Sequence, residues 1–547
     1  MELADSCLKD FAMVIRNTFL LTLVVFIVVG SAQGANILGI FTSPSPSHNI
    51  VHLSEAKVLA DNGHNVTIIT CAKLPVNHEN FTVVRIPINK EAERQINEGY
   101  AAMVQGDSTS FIGMLLHSSK FMRNSLQIMF EVLKDQRVKD LYENKDNKFD
   151  LVISGYFVNN YQFGVAHKLK APLIISFSAQ PFGILNTLVG NPLELSYVPA
   201  MYTVVKTGET MTFGQRLYTF ALTVVQTIWF IVFEWENERR YLELYGDDPS
   251  MPKYADLNKN VSLMFIATHG LSEGPIRPNV PAFVEIGGIQ VKDKPDPLPK
   301  DIEQFLNNAT HGAILLSLGS NVKGDHLKPE IVQNMFKVLS NLKQNVIWKW
   351  ENLEQTPGES SNILYSKWLP QDDILAHPNT KLFITHAGKG GVVESQYHGK
   401  PMLALPVFAD QPTNAQTMVS HGFGLSLKLL ELQADEFHSA IIELLENPKY
   451  TTSVQTFSNL FRDRPLSARQ TVLYWSEYVI RHHGAKHIQS PLVHMDFISA
   501  NNLDIFALFL LISLISLWLT KIMLTFAVRK FKSKSSMLAK KIKVKTK

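Results

Sequence analysis

Short apolar segments alternate with helical segments along most of this 547-residue chain. The first unit starts at Ala35 with the apolar segment ANILGIF. A polar loop follows, then the helical segment IVHLSEAKVLADNG and a second apolar segment, HNVTIIT. The segments FDLVISG, GVAHKLK and PLIISFS repeat this order from Phe149 onward. Repeated strand–helix–strand units predict a parallel sheet that helices cover on both faces. The sequence therefore predicts an α/β protein.

The alternation breaks once, at GGIQVKDKPDPLPK, residues 287–300, which is rich in Gly, Lys and Pro. Such a composition predicts a linker. The alternation then restarts with AILLSLGS and continues through KLFITHA and PMLALPV. We therefore predict two Rossmann-like, doubly wound domains, at residues 35–287 and 301–490, joined by a linker at 288–300, with returning helices at the end of the second domain. Two such domains enclose a cleft that faces the carboxyl ends of both sheets.

Apolar segments near both ends predict a secretory route and a membrane anchor. Phe19–Gly30 has 12 apolar positions, about 18 Å of helix, which is too short for a hydrocarbon core of about 30 Å. We therefore interpret residues 1–34 as a cleaved signal peptide. Ile505–Val528 is apolar over 24 positions, long enough to span a bilayer. Residues 529–547 follow with one Arg, eight Lys and no acid.

The positive tail sets the predicted orientation, because cytosolic segments carry the excess of Lys and Arg. The chain is therefore predicted to be a single-pass type I protein with a lumenal body and a cytosolic tail. Lys543 and Lys545, at the fifth and third positions from the end, resemble a retrieval signal of the endoplasmic reticulum. A lumenal body is also consistent with the four N-glycosylation sequons, which begin at residues 65, 80, 260 and 308.

Composition excludes several other classes of protein. The whole chain has a net charge of +3, but the tail contributes +9 and residues 1–34 contribute −1, so the remaining 494 residues carry −5. A mildly acidic body with a basic tail argues against a nucleic-acid partner. The two cysteines, Cys7 and Cys71, exclude a disulfide scaffold and a Cys-rich zinc site.

A third apolar segment, Tyr218–Trp235, lies inside the first predicted domain. It is either another membrane element or a helix that packs on the domain or lies in the membrane interface. Its length and the polar Gln226 favour the second interpretation.

The segment from Trp368 to Gln411 contains the most chemical information. A predicted strand ends at His386, and a loop with three glycines, Gly388, Gly390 and Gly391, leads into a helix. This junction directs backbone N–H groups and a helix N-terminus at one point, which suits a diphosphate. A plain tight turn has the same glycines, and the segment lacks the GxxxxGK[ST] pattern of a Walker loop.

This segment closely resembles the signature of the UDP-glycosyltransferases, from WLPQ at Trp368 through HAG at His386 to FADQ ending at Gln411. SLGS at 317–320, the predicted signal peptide, linker and anchor extend the resemblance over nearly the whole chain, and HAGKGG is similar to the insect members. The resemblance implies a GT-B fold and the transfer of a sugar from UDP-sugar to a small lipophilic acceptor. It also implies an inverting mechanism with no metal or other cofactor.

The resemblance assigns roles in nucleotide and sugar binding to five residues. Trp368 would stack on uracil, although a tryptophan at a strand end is commonly a core residue. Gln371 and Glu394 would bond to the uridine or ribose hydroxyls. Asp410 and Gln411 would bond to the sugar hydroxyls, although an Asp-Gln pair after a strand is commonly a helix cap.

The resemblance also assigns a diphosphate site. Its members would be Ser320, His386, Gly388, Gly390 and Gly391. An imidazole beside a phosphate can donate a hydrogen bond in either tautomer. Lys389 and Gly391 differ from the residues that many relatives have at these positions.

His48, which follows the first predicted strand, matches the general base of the family. An imidazole with a pKa near 6.5 can accept the acceptor's proton at neutral pH. His52, one helical turn later, is the alternative. Relatives have an acid after FDLVISG that orients the base, but Gly155 stands at that position. Asn159 and Asn160 are the nearby candidates to replace the acid.

The sequence leaves several questions open. The resemblance to insect members favours glucose over glucuronic acid, and the acceptor and a homo-oligomeric state remain undecided. The apolar stretch Ala101–Phe130 fits either an acceptor pocket or plain core. The alternative function is a catalytically weak, membrane-anchored relative that binds lipophilic ligands or nucleotide-sugars.

Overall fold

The computed structural model describes residues 34–73, 77–105, 111–179, 183–200, 203–205, 208–272 and 277–545. The predicted signal peptide lies outside the described residues, apart from Gly34. The chain divides into two compact units, Met1–Ser490 and Pro491–Lys547. The first unit contains both predicted sheets, and the second contains the C-terminal apolar helix.

The first sheet has seven strands in the order β3-β2-β1-β4-β5-β6-β7, and all its pairings are parallel. Every residue of β4, β5 and β6 is buried, as expected for strands that helices cover on both faces. Its elements are β1 (Asn36–Phe41), α1 (Pro46–Asp61), β2 (Asn65–Thr70), β3 (Phe81–Arg85), α2 (Lys90–Gln105), α3 (Phe111–Lys134), α4 (Gln136–Glu143), β4 (Leu151–Gly155), α5 (Phe163–Leu169), β5 (Leu173–Phe177), α6 (Gly183–Val189), α7 (Phe213–Tyr245), β6 (Val261–Ile266) and β7 (Phe283–Glu285).

The second sheet has six strands in the order β10-β9-β8-β11-β12-β13, again with parallel pairings throughout. The predicted α/β class, with two doubly wound sheets, is therefore confirmed. Its elements are α8 (Lys300–Asn307), β8 (Ala313–Ser317), α9 (Pro329–Leu339), β9 (Asn345–Lys349), β10 (Ile363–Ser366), α10 (Gln371–Ala376), β11 (Thr380–Thr385), α11 (Lys389–His398), β12 (Met402–Ala404), α12 (Gln411–Ser420), β13 (Gly424–Ser426), α13 (Ala434–Glu446) and α14 (Pro448–Arg462).

The predicted linker, residues 288–300, is held against the second sheet's domain. It has no regular structure before α8, but Ile289 and Val291 are buried. The Lys292 ammonium lies 2.6 Å from the Asp373 carboxylate, and the Lys292 amide donates to Asp372 at 3.0 Å. These contacts anchor the linker to α10.

Helix α15 (Ala468–Arg481) returns to the first sheet's domain. Ser467 and Gln470 form a capping box that starts the helix. Val472 and Val479 then pack in the core of the first domain. Part of the predicted second domain, 301–490, thus belongs structurally to the first, and this helix joins the two.

Helix α7 contains the predicted apolar segment 218–235, and its two faces differ. The buried face consists of Thr219, Thr223, Phe230, Phe233, Asn237, Tyr241 and Tyr245. The exposed large apolar side chains are Phe213, Leu217, Tyr218, Phe220, Val224, Val225, Ile228, Ile231, Val232, Trp235 and Leu242. The buried face shows that α7 packs on the domain, as the sequence favoured.

The second unit contains a short helix, α16 (Phe497–Ala500), and the long helix α17 (Leu503–Lys545). Its part Leu503–Ala539 contains an 18-residue stretch with a mean hydropathy of 2.3 and no buried residue. The predicted span, 505–528, lies inside this candidate membrane helix, and the helix continues into the basic tail.

Candidate functional site

The cleft of the first unit lies where loops from the carboxyl ends of both sheets meet. Ser45, in the loop after β1, accepts a hydrogen bond from Asn321, in the loop after β8, at 3.4 Å between Nδ2 and Oγ. The rings of Tyr100 and Phe408 stack across the same boundary with centroids 6.1 Å apart. Phe408 packs against the apolar cores of both domains. These contacts bring the loop before His48 and the loop that contains Ser320 to one boundary between the two sheets.

His48 lies at the first turn of α1, immediately after the loop that follows β1. Its half-buried ring packs near Phe157, with centroids 5.4 Å apart, and its Nδ1 lies 3.4 Å from the Ser43 hydroxyl. Burial, and second the charge of His52, lower the pKa of His48 to about 4. The imidazole is therefore neutral at pH 7 and can accept a proton.

The two asparagines that could replace the absent acid do not bond to His48. The Asn159 amide accepts from the Phe157 N–H at 2.8 Å and donates to the Gly155 carbonyl at 3.3 Å. The Asn160 carbonyl oxygen accepts from the Tyr156 hydroxyl at 2.9 Å. Both side chains hold the turn after β4, so the expectation that one of them supports the base is wrong.

His52 is buried one turn after His48 and forms a different set of contacts. Its Nδ1 lies 2.9 Å from the Ser176 hydroxyl, which donates to Glu55 at 2.6 Å. Its ring stacks on Phe41 with centroids 5.2 Å apart. Only 1% of His52 is exposed, so the ring is shielded from a substrate in the cleft. His48 is therefore the better-placed of the two histidines to contact an acceptor.

Of the predicted uridine residues, Trp368 follows β10 and Gln371 starts α10, while Glu394 lies on α11. Trp368 is 52% exposed, so it is not a core residue, and its indole is accessible for stacking. Gln371 donates to the Glu394 carboxylate at 2.6 Å. Burial, and second the charge of Asp372, raise the pKa of Glu394 to about 8. Glu394 is thus largely protonated at pH 7 and can donate as well as accept.

His386, at the end of β11, is enclosed by two glycines. A Cβ at Gly319 would lie 2.4 Å from the ring carbon Cε1, and a Cβ at Gly388 would lie 2.4 Å from Nε2. Gly319 also has a φ of +81°, which favours glycine. Burial, and second the charge of Lys349, lower the pKa of His386 to about 4. The ring is neutral, so it can offer a diphosphate a single N–H.

The rest of the predicted diphosphate site follows β8 and β11, which are neighbours in the second sheet. Ser320 follows β8 directly after Gly319, and Gly388 is the N-cap of α11, which Gly390 and Gly391 continue. The backbone N–H groups of this first turn have no intrahelical acceptor and form a local positive end. The Gly390 carbonyl accepts from Gln290 of the linker at 3.3 Å.

Asp410 and Gln411 form the junction between β12 and α12. Asp410 occupies the N-cap position without a side-chain cap bond, and its carboxylate accepts from Asn414 at 2.7 Å. The Gln411 carbonyl oxygen accepts from the amides of Val407 and Phe408, at 2.8 and 3.1 Å. Gln411 therefore shapes the loop that presents Asp410.

Lys389 adds a cation to the same site. Burial lowers the pKa of this lysine to about 7, and the Asp410 carboxylate opposes that change. A bound diphosphate would raise the pKa again, because it would place negative charge beside the ammonium.

Sequence reasoning missed four residues that hold the site: Glu55, Ser176, Gln290 and Asn414. Two of them had a signal in the sequence, because Glu55 is three residues after His52 and Asn414 is four after Asp410, spacings that share a helix face. Ser176 and Gln290 reach their partners only through the tertiary fold.

Comparisons with known proteins agree with this geometry. The family model described as UDP-glucoronosyl and UDP-glucosyl transferase matches residues 40–537. The chain is 33% identical to UDP-glycosyltransferase UGT5 of Dactylopius coccus, over 91% of this chain and 93% of that one. It is also 33% identical to UDP-glucosyltransferase 2 of the same insect, over 86% and 89%. It is 31% identical to UDP-glucuronosyltransferase 1A6 of Mus musculus, over 68% of each chain.

Solved structures show the same fold at low sequence identity. A UDP-glucosyltransferase from Polygonum tinctorium superimposes with a TM-score of 0.52 at 15% identity, over 82% of this chain and 99% of that one. The calicheamicin glycosyltransferase CalG4 gives a TM-score of 0.51 at 15% identity, over 82% and 99%. The two parallel sheets and the cleft are thus a GT-B fold. On the family match and the insect relatives together, the chain belongs to the UDP-glycosyltransferase family.

Proposed function

We propose that this glycosyltransferase transfers glucose from UDP-glucose to a hydroxyl of a small lipophilic acceptor, with inversion and with His48 as the general base. The observation that carries the proposal is the closure of one cleft by the loops after β1 and β8, in which Ser45 and Asn321 meet at 3.4 Å. His48 follows the first loop, and Ser320 lies in the second. Acceptor activation and donor binding therefore share one space.

The proposed chemical step needs three contributions from the chain. Neutral His48 accepts the acceptor's proton as its oxygen attacks the sugar's anomeric carbon. Attack from the face opposite the nucleotide breaks the bond to UDP and inverts that carbon. The N-terminus of α11, the His386 N–H and the Lys389 ammonium stabilise the charge that develops on the leaving diphosphate. We propose that this charge stabilisation replaces a metal cofactor.

Aromatic rings around the base support a lipophilic acceptor. Phe157 packs near His48. Tyr100 contacts Phe121 at 5.2 Å and Phe408 at 6.1 Å between centroids. In the apolar stretch 101–130, Leu126, Ile128, Met129 and Phe130 are buried in the core, so that end of the stretch is not pocket lining. The pocket is assigned to the rings that border the cleft.

The choice of glucose rests on the relatives and on the charge of the sugar site. One insect relative is named a UDP-glucosyltransferase, whereas the mouse relative is named a UDP-glucuronosyltransferase. Asp410, at the proposed sugar site, would repel the carboxylate of glucuronic acid, and an uncharged sugar avoids that cost. UDP-glucose should therefore be the better donor.

A membrane-anchored location follows from the second unit. Its candidate span is followed by the basic residues 529–547, which supports a membrane-anchored enzyme with its body in the lumen of the endoplasmic reticulum. The enzyme would there meet lipophilic acceptors that partition into that membrane.

The proposed base is tested with His48→Ala in the full-length, detergent-solubilised enzyme. Transfer from UDP-glucose to a phenol should fall by about 10²- to 10⁴-fold, the range for loss of a general base. UDP affinity, measured by calorimetry, should not change, because His48 is outside the proposed donor site. His438→Ala, on the outer helix α13, is the matched control.

Two results would contradict the proposal. Activity that survives His48→Ala would place the base elsewhere. Wild-type enzyme that binds UDP-glucose but transfers nothing to any phenol or alcohol would favour the binding-protein alternative.

A further inference from the structure

The interdomain linker approaches the predicted donor residues at Gln290. Ile289, the residue before it, is buried, and the Lys292 ammonium two residues later lies 2.6 Å from the Asp373 carboxylate of α10. These contacts fix the backbone on both sides of Gln290. Its side chain is partly exposed and donates from Nε2 to the Gly390 carbonyl at 3.3 Å. The linker therefore contacts the first turn of α11, which is part of the predicted diphosphate site.

A second glutamine reaches the same turn from a different segment of the chain. Gln371, the first residue of α10, donates from Nε2 to the Glu394 carboxyl group at 2.6 Å. A Cβ at Gly391 would lie 3.3 Å from this Nε2, and a Cβ at Gly390 would lie 3.8 Å from the Nε2 of Gln290. Two side-chain amides thus lie against neighbouring residues of one helical turn.

Both amides act on Glu394, which lies one turn further along the same face of α11. Glu394 is buried. Burial, and second the charge of Asp372, raise its pKa to about 8, and hydrogen bonds from Gln371 and Gln290 oppose that rise. The carboxyl group of Glu394 is therefore held by two donors, one from α10 and one from the linker.

A second donor changes what the Glu394 carboxyl group can do. The terminal torsion of a glutamate has a broad distribution, so one hydrogen bond leaves the plane of the carboxyl group free to turn. A second donor, from another segment of the chain, fixes that plane. The acceptor sites that the two amides leave free are then available to hydroxyl groups of a ligand. A group that is fixed before binding also loses less entropy when the ligand arrives.

We propose that Gln290 is a positioning residue of the donor site, which holds the Glu394 carboxyl group in the orientation that binds the ribose hydroxyls of UDP-glucose. The inference rests on the proposed donor and on the role that the resemblance implies for Glu394. Gln290 acts on the ribose through Glu394 and not by contact with the reacting atoms. The linker is then a part of the donor site as well as a connection between two domains.

The test uses Gln290→Leu, which keeps the size of the side chain but removes its donor. Calorimetry on the full-length, detergent-solubilised enzyme measures the affinity for UDP and for its dideoxy analogue, which lacks both ribose hydroxyls. Affinity for UDP should fall about fivefold, the effect of one hydrogen bond. Affinity for the analogue should change less than about twofold, because the analogue has no hydroxyl for Glu394 to bind. A general packing defect would weaken both nucleotides alike.

Steady-state kinetics provide a second measurement. KM for UDP-glucose should rise about fivefold, while kcat stays within about twofold of wild type, because binding is lost equally in the ground state and the transition state. Gln304→Leu, the same substitution at an exposed position of α8, is the matched control and should follow wild type. If Gln290→Leu fails to fold, as judged by circular dichroism, Gln290→Met removes the same donor with an unbranched side chain.

A double-mutant cycle tests whether Gln290 acts through Glu394. Glu394→Ala should weaken UDP binding and reduce the discrimination between UDP and its dideoxy analogue. Adding Gln290→Leu to this variant should have no further effect on UDP affinity, because the carboxyl group that Gln290 positions is then absent.

The outcomes separate this inference from the proposed function. Equal losses for UDP and the analogue in Gln290→Leu would overturn the inference, because they would indicate a role in folding alone. Additive losses in the double variant would also overturn it and would leave the role of Glu394 in place. Unchanged discrimination in Glu394→Ala would reject the ribose role of Glu394 and the inference with it. The proposed reaction is decided separately, by transfer of glucose to a phenol.

Discussion

At the scale of single residues, burial brings the ionisable groups of the cleft close to neutrality. The pKa values of His48 and His386 fall to about 4 and that of Lys389 to about 7, whereas that of Glu394 rises to about 8. Burial is the largest cause in all four residues, since a charged group loses its hydration. These four groups therefore carry little charge near pH 7. In the proposed donor site, backbone dipoles and Lys389 would meet the negative charges of UDP.

Glu394 gives a prediction about pH and stability. Its pKa is about 8 in the folded protein and 4.5 in an ordinary carboxyl, so between these pH values the folded state holds more protons than the unfolded state. Stability must therefore fall as pH rises through this window, by about 1.4 kcal/mol per pH unit at most. Glu394→Gln should remove that loss, so the variant should gain stability over wild type between pH 5 and pH 8.

Urea unfolding at the two pH values measures this effect. Glu436→Gln, an exposed acid in the first turn of α13, is the control and should follow wild type. Parallel pH profiles for wild type and Glu394→Gln would show that Glu394 ionises normally.

At the scale of elements, helix α7 is apolar in sequence but exposes many of its apolar side chains. It has 33 residues, and its most apolar 18-residue stretch has a mean hydropathy of 1.6, with 22% of that stretch buried. Phe230 and Phe233 pack into the domain, while Phe220, Ile228 and Trp235 face outward. A large exposed apolar face is costly in water and typical of helices that lie in a membrane interface.

The exposed face of α7 should bind lipid. Residues 34–490, without the second unit, should co-sediment with liposomes. Replacing Phe220 and Ile228 by Ser should weaken that binding while changing the free energy of unfolding by less than about 1 kcal/mol, because neither side chain is buried. Phe233→Ala should do the reverse, costing about 3–5 kcal/mol through a core cavity and leaving lipid binding intact. Equal sedimentation of the Ser variant and wild type would contradict the interfacial interpretation.

At the scale of the whole molecule, charge and hydropathy are divided between the ends and the body. The described body is mildly acidic, and the candidate span ends in a basic tail. Asn65, the first residue of β2, is exposed and donates to Asn36 at 3.2 Å. This sequon therefore lies at the amino end of β2, and a glycan on Asn65 would break the contact with Asn36.

The positive-inside rule predicts that only the tail is cytosolic. Protease added to sealed microsomes should shorten the protein by about 2 kDa, the mass of residues 529–547, and leave the body intact. Detergent should make the body accessible, which serves as the control. Digestion of the body in intact vesicles would reverse the predicted topology.

The sequence alone determined the fold class and the donor segment. Parallel strands that are buried on both faces are continuous apolar runs, and the helices between them show the helical spacing of apolar residues. Each element can therefore be recognised from its own segment of sequence. The donor loop is likewise local, because His386, Gly388 and the start of α11 are consecutive. Trp368 is exposed, and Gly319 and Gly388 enclose the ring of His386; the binding roles that the resemblance implies for both residues stay predictions.

Only the tertiary structure decided how these parts meet. Ser176 is 124 residues from His52 and comes close to it because only β4 separates β5 from β1 in the sheet. Asn159 and Asn160 follow β4 closely, yet both amides bond within their own turn or to β-sheet neighbours instead of the base. Helix α15 is late in the chain, yet it packs on the first domain. Such contacts depend on the order of the strands in the sheet and on where a late helix packs. Residue periodicity does not encode either, because it shows which face of an element is buried but not which other element covers that face.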